Sequence, residues 1–157
     1  MVSERYAVPT AEIESRTDRE LARRSLRVAF MYVPVATLLV AITDLKHDLL
    51  LGAAIFVGAM VAAGVPRLMW CRRFDAIYPA ASTRWRQRFA AVTLLPAAAW
   101  GLAMALVAVR YALDWTTIAC LMATVGIAAG SVSSLSPRVE LFRRFVSVLL
   151  LPALAAG

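Results

Sequence analysis

A chain of 157 residues with 61% hydrophobic side chains and a mean hydropathy of +0.71 does not have the composition of a water-soluble domain. The formal net charge of +7 does not indicate a nucleic-acid-binding protein, because the arginines flank long apolar blocks and are not interleaved with aromatic residues on one face. Long apolar blocks between short charged stretches are typical of a protein that crosses a bilayer. The sequence therefore predicts an all-α, polytopic transmembrane helix bundle.

The first 27 residues are predicted to be an N-terminal tail that carries an amphipathic helix. Thr17 and Glu20 have the spacing of a capping box, and the acids Asp18 and Glu20 precede several arginines, which suits the helix dipole. We therefore expect a helix from about Asp18 that runs into the first span. Residues 1–9 are expected to be disordered.

Four apolar blocks are long enough to cross a hydrocarbon core, which takes about 20 residues of helix. They are predicted at 28–43, 49–66, 89–109 and 115–135. A fifth block, 145–157, is long enough for only part of a span, so we expect the chain to continue beyond it. The prediction is a tail at 1–27 and a transmembrane module at 28–157 with four full spans and the start of a fifth.

The basic residues predict the orientation of these spans, because Lys and Arg near span ends are retained in the cytoplasm. Fifteen arginines lie in the tail, in the segment between spans two and three, and after span four. The alternate connections hold only Lys46 and Arg110. We therefore expect the N-terminus to lie in the cytoplasm. The polar segment 67–88 is expected to be a cytoplasmic loop whose aromatic residues lie at the membrane interface or contact a cytoplasmic domain.

The turn between the first two spans is the one cluster with ligand chemistry. Asp44, His47 and Asp48 have i, i+3 and i+4 spacing and could converge on a cation or sense external pH through the imidazole. The alternative is a solvated turn in which Asp48 caps the second span helix. Outside this turn, nothing suggests a metal or a cofactor in this chain.

A short pattern occurs twice, 56 residues apart. Arg88-Phe89 is followed by Leu94-Leu95-Pro96-Ala97, and Arg144-Phe145 by Leu150-Leu151-Pro152-Ala153. A true repeat predicts helix hairpins and a complete module of six spans in three hairpins, whereas the alternative is coincidence in a composition rich in Leu, Ala and Arg.

Three prolines, Pro34, Pro96 and Pro152, lie within predicted spans and are expected to kink them. Such kinks either act as signalling hinges or simply shape the bundle. In the fourth span, Gly126 and Gly130 form a G-x-x-x-G motif one turn before Ser134. This helix-packing surface is expected either within the chain or as a homodimer seam.

Several absences narrow the function. No Asp, Glu, Lys, Arg or His lies in the four predicted spans, which disfavours proton relays and ion-coupled carriers. Cys71 and Cys120 are predicted near opposite membrane faces, so they are not expected to form a disulfide. The sequence contains no P-loop, nucleophile elbow or zinc motif, and catalysis within this chain is therefore not expected.

Over residues 20–157 the chain resembles the multi-span N-terminal sensory modules of bacterial histidine kinases and diguanylate cyclases. The resemblance is carried by Arg72-Arg73-Phe74 through Tyr78-Pro79, Trp100-Gly101, Gly130 with Ser134-Leu135 and a following proline, and Leu150-Leu151-Pro152. It implies an input module in the bacterial inner membrane that relays a signal to a cytoplasmic output domain and a response regulator.

The same resemblance implies that ATP or GTP would be used only by an output domain beyond this chain, so no catalytic or cofactor-binding residue is assigned here. A sensor histidine kinase is the first expectation and a diguanylate cyclase the second. Two alternatives from other classes are a small transporter or permease subunit for an apolar or hydrogen-bonding substrate, and a structural subunit that scaffolds a partner.

Overall fold

The computed structural model describes residues 10–156, which form seven helices and contain no strand. The helices are α1 Thr10–Val28, α2 Tyr32–Ile42, α3 Leu45–Asp48, α4 Leu50–Arg72, α5 Phe74–Tyr111, α6 Trp115–Leu135 and α7 Val139–Ala156. The predicted all-α helix bundle is confirmed.

Four helical stretches are long and apolar enough to cross a membrane: Ala11–Ile42, Leu50–Arg72, Phe74–Tyr111 and Trp115–Leu135. They match the four predicted spans. The first stretch joins α1 and α2 across a break at residues 29–31. Residues 145–156 of the predicted fifth block lie within α7, which begins earlier than predicted, at Val139.

The tail helix also begins earlier than predicted, at Thr10 and not near Asp18. Thr17 lies inside the helix and donates its hydroxyl hydrogen bond to the carbonyl oxygen of Ile13 at 2.8 Å. Helical threonine commonly satisfies its hydroxyl in this way, so Thr17 and Glu20 do not form a capping box. The disorder expected for residues 1–9 lies outside the described residues.

The polar segment 67–88 is helical and not a loop. Helix α4 continues through Arg72, and α5 begins at Phe74, so one residue separates them. Helix α5 is interrupted at Ala81, where φ is −152° and ψ is 56°. Pro79, two residues earlier, lacks the N–H that would continue the helical hydrogen bonds.

Of the aromatic residues of this segment, Phe74, Tyr78 and Trp85 are buried and Trp70 is partly buried, so they do not form an exposed interfacial belt. Trp85 is fully buried and stacks on Phe89 with ring centroids 4.9 Å apart. Phe74 stacks on Tyr78 at 4.6 Å and meets Trp85 edge-on at 4.9 Å. These four side chains form an aromatic core at the arginine-rich end, which we define as the end of the bundle that carries Arg24, Arg67, Arg86 and Arg138.

Helix α5 is central, with contacts to α1, α4, α6 and, most extensively, α7. It approaches α7 closely at Gly101, where an added Cβ would lie 2.8 Å from the main-chain oxygens of both Val148 and Leu149. The two copies of the repeated pattern thus occupy neighbouring helices. The phenylalanine of each copy, Phe89 in α5 and Phe145 in α7, is buried.

Pro96 and Pro152 lie inside α5 and α7, as predicted. Pro34 has a different place, in the first turn of α2 directly after the break at residues 29–31. A proline disturbs a helix at the carbonyl of the residue four before it, here Phe30, which lies in that break, so the first stretch is interrupted where Pro34 is expected to kink it.

Replacing Gly101 by alanine should destabilise the bundle by about 1–3 kcal/mol, because overpacking forces α5 and α7 apart. The matched control is Gly126→Ala, where an added Cβ meets nothing within 4 Å. Thermal unfolding in detergent micelles, followed by tryptophan fluorescence, measures both. Equal Tm values for the two variants would contradict the close α5–α7 contact.

Candidate functional site

A fully buried carboxylate lies at the arginine-rich end of the bundle. Asp18 of α1 accepts hydrogen bonds at Oδ2 from the Tyr78 hydroxyl at 2.8 Å and from Arg86 Nε at 2.6 Å. The Arg86 Nη2 group also donates to the Tyr78 oxygen at 2.9 Å and to Glu14 Oε2 at 2.7 Å. One acid of α1 is thereby fastened to two side chains of α5.

The second oxygen of the same carboxylate binds the connection between α6 and α7. Arg138 Nε donates to Asp18 Oδ1 at 2.9 Å. The Arg138 Nη2 atom lies 2.9 Å from this oxygen but has no hydrogen-bond partner. Because Arg138 directly precedes α7, the contact links the start of α7 to α1. We call Glu14, Asp18, Tyr78, Arg86 and Arg138 the Asp18 cluster.

The local fold explains why these groups meet. Asp18, Leu21, Ala22 and Ser25 are all buried, and their spacing places them on one face of α1. Tyr78 and Arg86 lie on either side of the break at Ala81, and both reach the same carboxylate oxygen. A buried charge without partners would be very costly, so the cluster also fixes how α1 lies against α5.

The phenol of Tyr78 is held in its protonated form. Burial first, and then its hydrogen bond to the Asp18 carboxylate, raise the pKa of Tyr78 above its usual value. Because its pKa is raised, Tyr78, which precedes the apolar part of α5, remains a hydrogen-bond donor at neutral pH. The Asp18 carboxylate thus keeps its three donors.

Exposed ion pairs surround the cluster. Arg19 pairs with Asp75 of α5 at 3.0 Å, and both side chains are more than half exposed. Arg24 binds Glu20 at 2.8 Å and also donates to the carbonyl oxygen of Ser133 in α6 at 3.1 Å. Exposed pairs of this kind contribute little to stability, so the buried contacts of Asp18 dominate the attachment of α1.

The Asp18 cluster was not predicted from the sequence, in which Asp18 was taken only as a favourable charge near a helix start. The available signal was the buried stripe at positions 18, 21, 22 and 25, which puts the acid in the apolar face. The partners could not be inferred, since Arg86 and Arg138 are 68 and 120 residues away.

The predicted turn cluster of Asp44, His47 and Asp48 is exposed around the single-turn α3. The alternative prediction, that Asp48 caps the following helix, is wrong. Leu49 occupies the N-cap position of α4, and no side chain caps this helix. The Asp48 carboxylate instead accepts a hydrogen bond from the Tyr111 hydroxyl at 3.1 Å. Across residues 10–156, no group of three His, Cys, Asp or Glu side chains could hold a metal ion.

The predicted packing surface of α6 is open. An added Cβ at Gly126 or Gly130 would meet nothing within 4 Å, so no helix of the described chain packs closely there. Together with Ser134, these glycines line a cavity of about 330 Å³.

Cys71 and Cys120 are buried free thiols. Besides Gly101, the glycine in tight contact is Gly64, where an added Cβ would lie 2.8 Å from the Phe30 ring.

Asp18→Asn should lower the free energy of unfolding by about 3 kcal/mol, because Arg138 would lose its anionic partner and Arg86 would keep only Glu14. This lies at the low end of the range for breaking buried pairs, since the arginine side chains remain 31% and 33% exposed. The matched control is Asp75→Asn, which removes an exposed pair and should change stability by at most about 1 kcal/mol. Urea unfolding in mixed micelles compares the two. A smaller loss for Asp18→Asn than for Asp75→Asn would mean that the cluster does not hold α1.

No protein-family model, curated protein or solved structure matches this chain. The residues of the chain itself are therefore the basis for assigning a function. Asp18 and Arg67 are the two charged residues that are buried in the described part of the chain. They mark the Asp18 cluster and the cavity beside α6 as the places where charge is held away from water.

Proposed function

We propose that this chain is the membrane-embedded input module of a bacterial signal-transduction protein, with a sensor histidine kinase as the first candidate. The observation that carries the proposal is the Asp18 cluster, in which one buried carboxylate joins α1, α5 and the residue before α7. In this proposal the arginine-rich end faces the cytoplasm, where an output domain would act.

A cluster of this kind suits a two-state relay. The three donors to Asp18 come from separate parts of the chain, so a shift of one helix breaks specific hydrogen bonds and does not deform the bundle gradually. A signal that favours one arrangement by a few kcal/mol would change the populations of the two states. Because Arg138 and α7 are adjacent in the chain, release of Arg138 would free the start of α7.

The composition of the spans supports signalling over ion-coupled transport. The segments 28–43, 49–66, 89–109 and 115–135 contain no Asp, Glu, Lys, Arg or His. Proton relays and ion-coupled carriers need ionisable groups at membrane depth. Charge is instead concentrated at one end of the bundle, where it would contact an output domain. The output domain would in turn recruit a response regulator. ATP, or GTP in a diguanylate cyclase, would be bound by the output domain.

Cysteine accessibility tests the proposed orientation. Lys46→Cys places a thiol in the α3 turn, and Asp75→Cys places one at the arginine-rich end, where the native side chain is 79% exposed. A membrane-impermeant maleimide should label the Lys46→Cys variant in intact spheroplasts and the Asp75→Cys variant only after lysis. The native thiols are buried, so their background should be low. The opposite labelling pattern would invert the proposed topology.

A fusion tests the input role. The full chain would be joined after Gly157 to the cytoplasmic dimerisation and kinase domains of a bacterial sensor kinase, with the helical phase of the junction varied in four one-residue steps. Asp18→Asn should change autophosphorylation in membranes by about threefold or more in at least one phase, because a shift of about 1 kcal/mol in a two-state equilibrium alters populations by about fivefold.

The matched control is again Asp75→Asn, which should leave autophosphorylation of the fusion unchanged. Expression and membrane insertion would be checked for every variant by quantitative blotting of membrane fractions. If Asp18→Asn is inserted normally and kinase activity equals that of the parent fusion at all four phases, the Asp18 cluster does not relay a signal and the proposed function fails.

A further inference from the structure

A second site lies apart from the Asp18 cluster, in the cavity of about 330 Å³ between α2, α4 and α6. The volume is within the range of small-molecule sites. Tyr32, Arg67 and Phe145 line it together with small residues of α6. The small residues follow one face of α6 and are Gly126, Gly130, Ser131 and Ser134.

Arg67 is the unusual member of this lining. Arg67 is only 3% exposed, and its Nε atom has no hydrogen-bond partner. Within residues 10–156, no acidic side chain forms a salt bridge with Arg67. Arg86 and Arg138, by contrast, both share the Asp18 carboxylate.

Burying an unpaired guanidinium is strongly unfavourable, and an arginine is not deprotonated in proteins. Since no acid among residues 10–156 pairs with Arg67, an anion that enters the cavity would supply the partner for this charge. Guanidinium groups bind carboxylates and phosphates with particular strength, because their N–H groups match two oxygens at once. Arg67 thus points to an oxyanion.

The rest of the cavity indicates what the anion is attached to. From Ser134 to Gly126, the lining of α6 extends about 12 Å along the helix axis toward the apolar middle of the span. Neither glycine has a neighbour within 4 Å of an added Cβ, so this face is open. The hydroxyls of Ser131 and Ser134 donate to main-chain oxygens of their own helix. The surface beyond Arg67 is therefore suited to an apolar tail.

We infer that this cavity binds an anionic amphiphile, with its carboxylate or phosphate on Arg67 and its apolar chain along Gly130 and Gly126. Arg67 directly follows the apolar segment 49–66, which places it at the depth of lipid head groups. The ligand could therefore be a fatty acid or an anionic phospholipid. Binding does not depend on the proposed signalling role, because the two sites share no residue.

The test uses the full chain, purified and delipidated in a neutral maltoside detergent, with thermal unfolding as the readout. Oleate supplies the carboxylate, phosphatidylglycerol the phosphate, and phosphatidylcholine is the zwitterionic comparison. A ligand that binds only the folded chain raises its Tm, so oleate or phosphatidylglycerol at saturation should raise the Tm by about 5 °C. Phosphatidylcholine should raise it much less.

Arg67→Met should abolish this increase, while its own Tm without added amphiphile should equal or exceed that of the parent, because the unpaired buried charge is gone. The matched control is Arg72→Met, an exposed arginine near the same end of α4, which should keep the full increase. Gly126→Leu adds a side chain at a cavity position where an added Cβ meets nothing within 4 Å, and it retains Arg67, so it carries the test even if Arg67→Met does not fold.

An increase with oleate alone identifies a carboxylate ligand, and one with phosphatidylglycerol alone identifies a phospholipid; either supports the inference, as do both together. The inference is overturned if neither anion raises the parent Tm above the phosphatidylcholine value. It is also overturned if folded Arg67→Met or Gly126→Leu retains the full increase, since binding would then lie outside the cavity.

Discussion

A carboxylate cannot stay ionised in a protein interior without donors, and this constraint organises the arginine-rich end of the bundle. Asp18 is fully buried, and the groups that satisfy it come from α5 and from the residue before α7. Helix α1 therefore cannot slide or rotate against α5 without exposing or orphaning the charge. Lipid provides no such directional constraint, because apolar side chains pack about equally well against acyl chains and one another.

The two ends of the bundle differ in the connections between their helices. At the arginine-rich end, long extensions of α4 and α5 enclose an aromatic core around Trp85, and Trp70 and Trp85 each donate an indole hydrogen bond to the other's carbonyl oxygen. The opposite end, which carries Lys46 and Arg110, has only the single-turn α3 and a tight turn in which Ala112 adopts a φ of 50°. The end of the bundle with the longer helical extensions is thus also the end with the buried ionic contacts of Asp18.

Hydropathy predicted the spans well and their packing poorly. A run of about 20 apolar residues reflects the thickness of the bilayer, so the four spans could be placed from composition alone. Which helices touch depends on contacts between residues far apart in the chain. Gly101 and Gly126 look equivalent in the sequence, yet one meets the backbone of α7 and the other faces open space. The polar segment 67–88 was likewise predicted to be a loop, whereas it is helical and contributes to buried aromatic pairs.

The arginines that predicted the topology separate into groups with different physical roles. Most are exposed and need no partner, since water and head groups satisfy them. Arg86 and Arg138 are partly buried and are paired with Asp18. Arg67 is as deeply buried as a core residue but has no acid beside it among residues 10–156. A charge placed for topology alone would lie in water, so the burial of Arg67 requires a different explanation. In the ligand binding that we propose, an anion from the membrane would supply the missing countercharge.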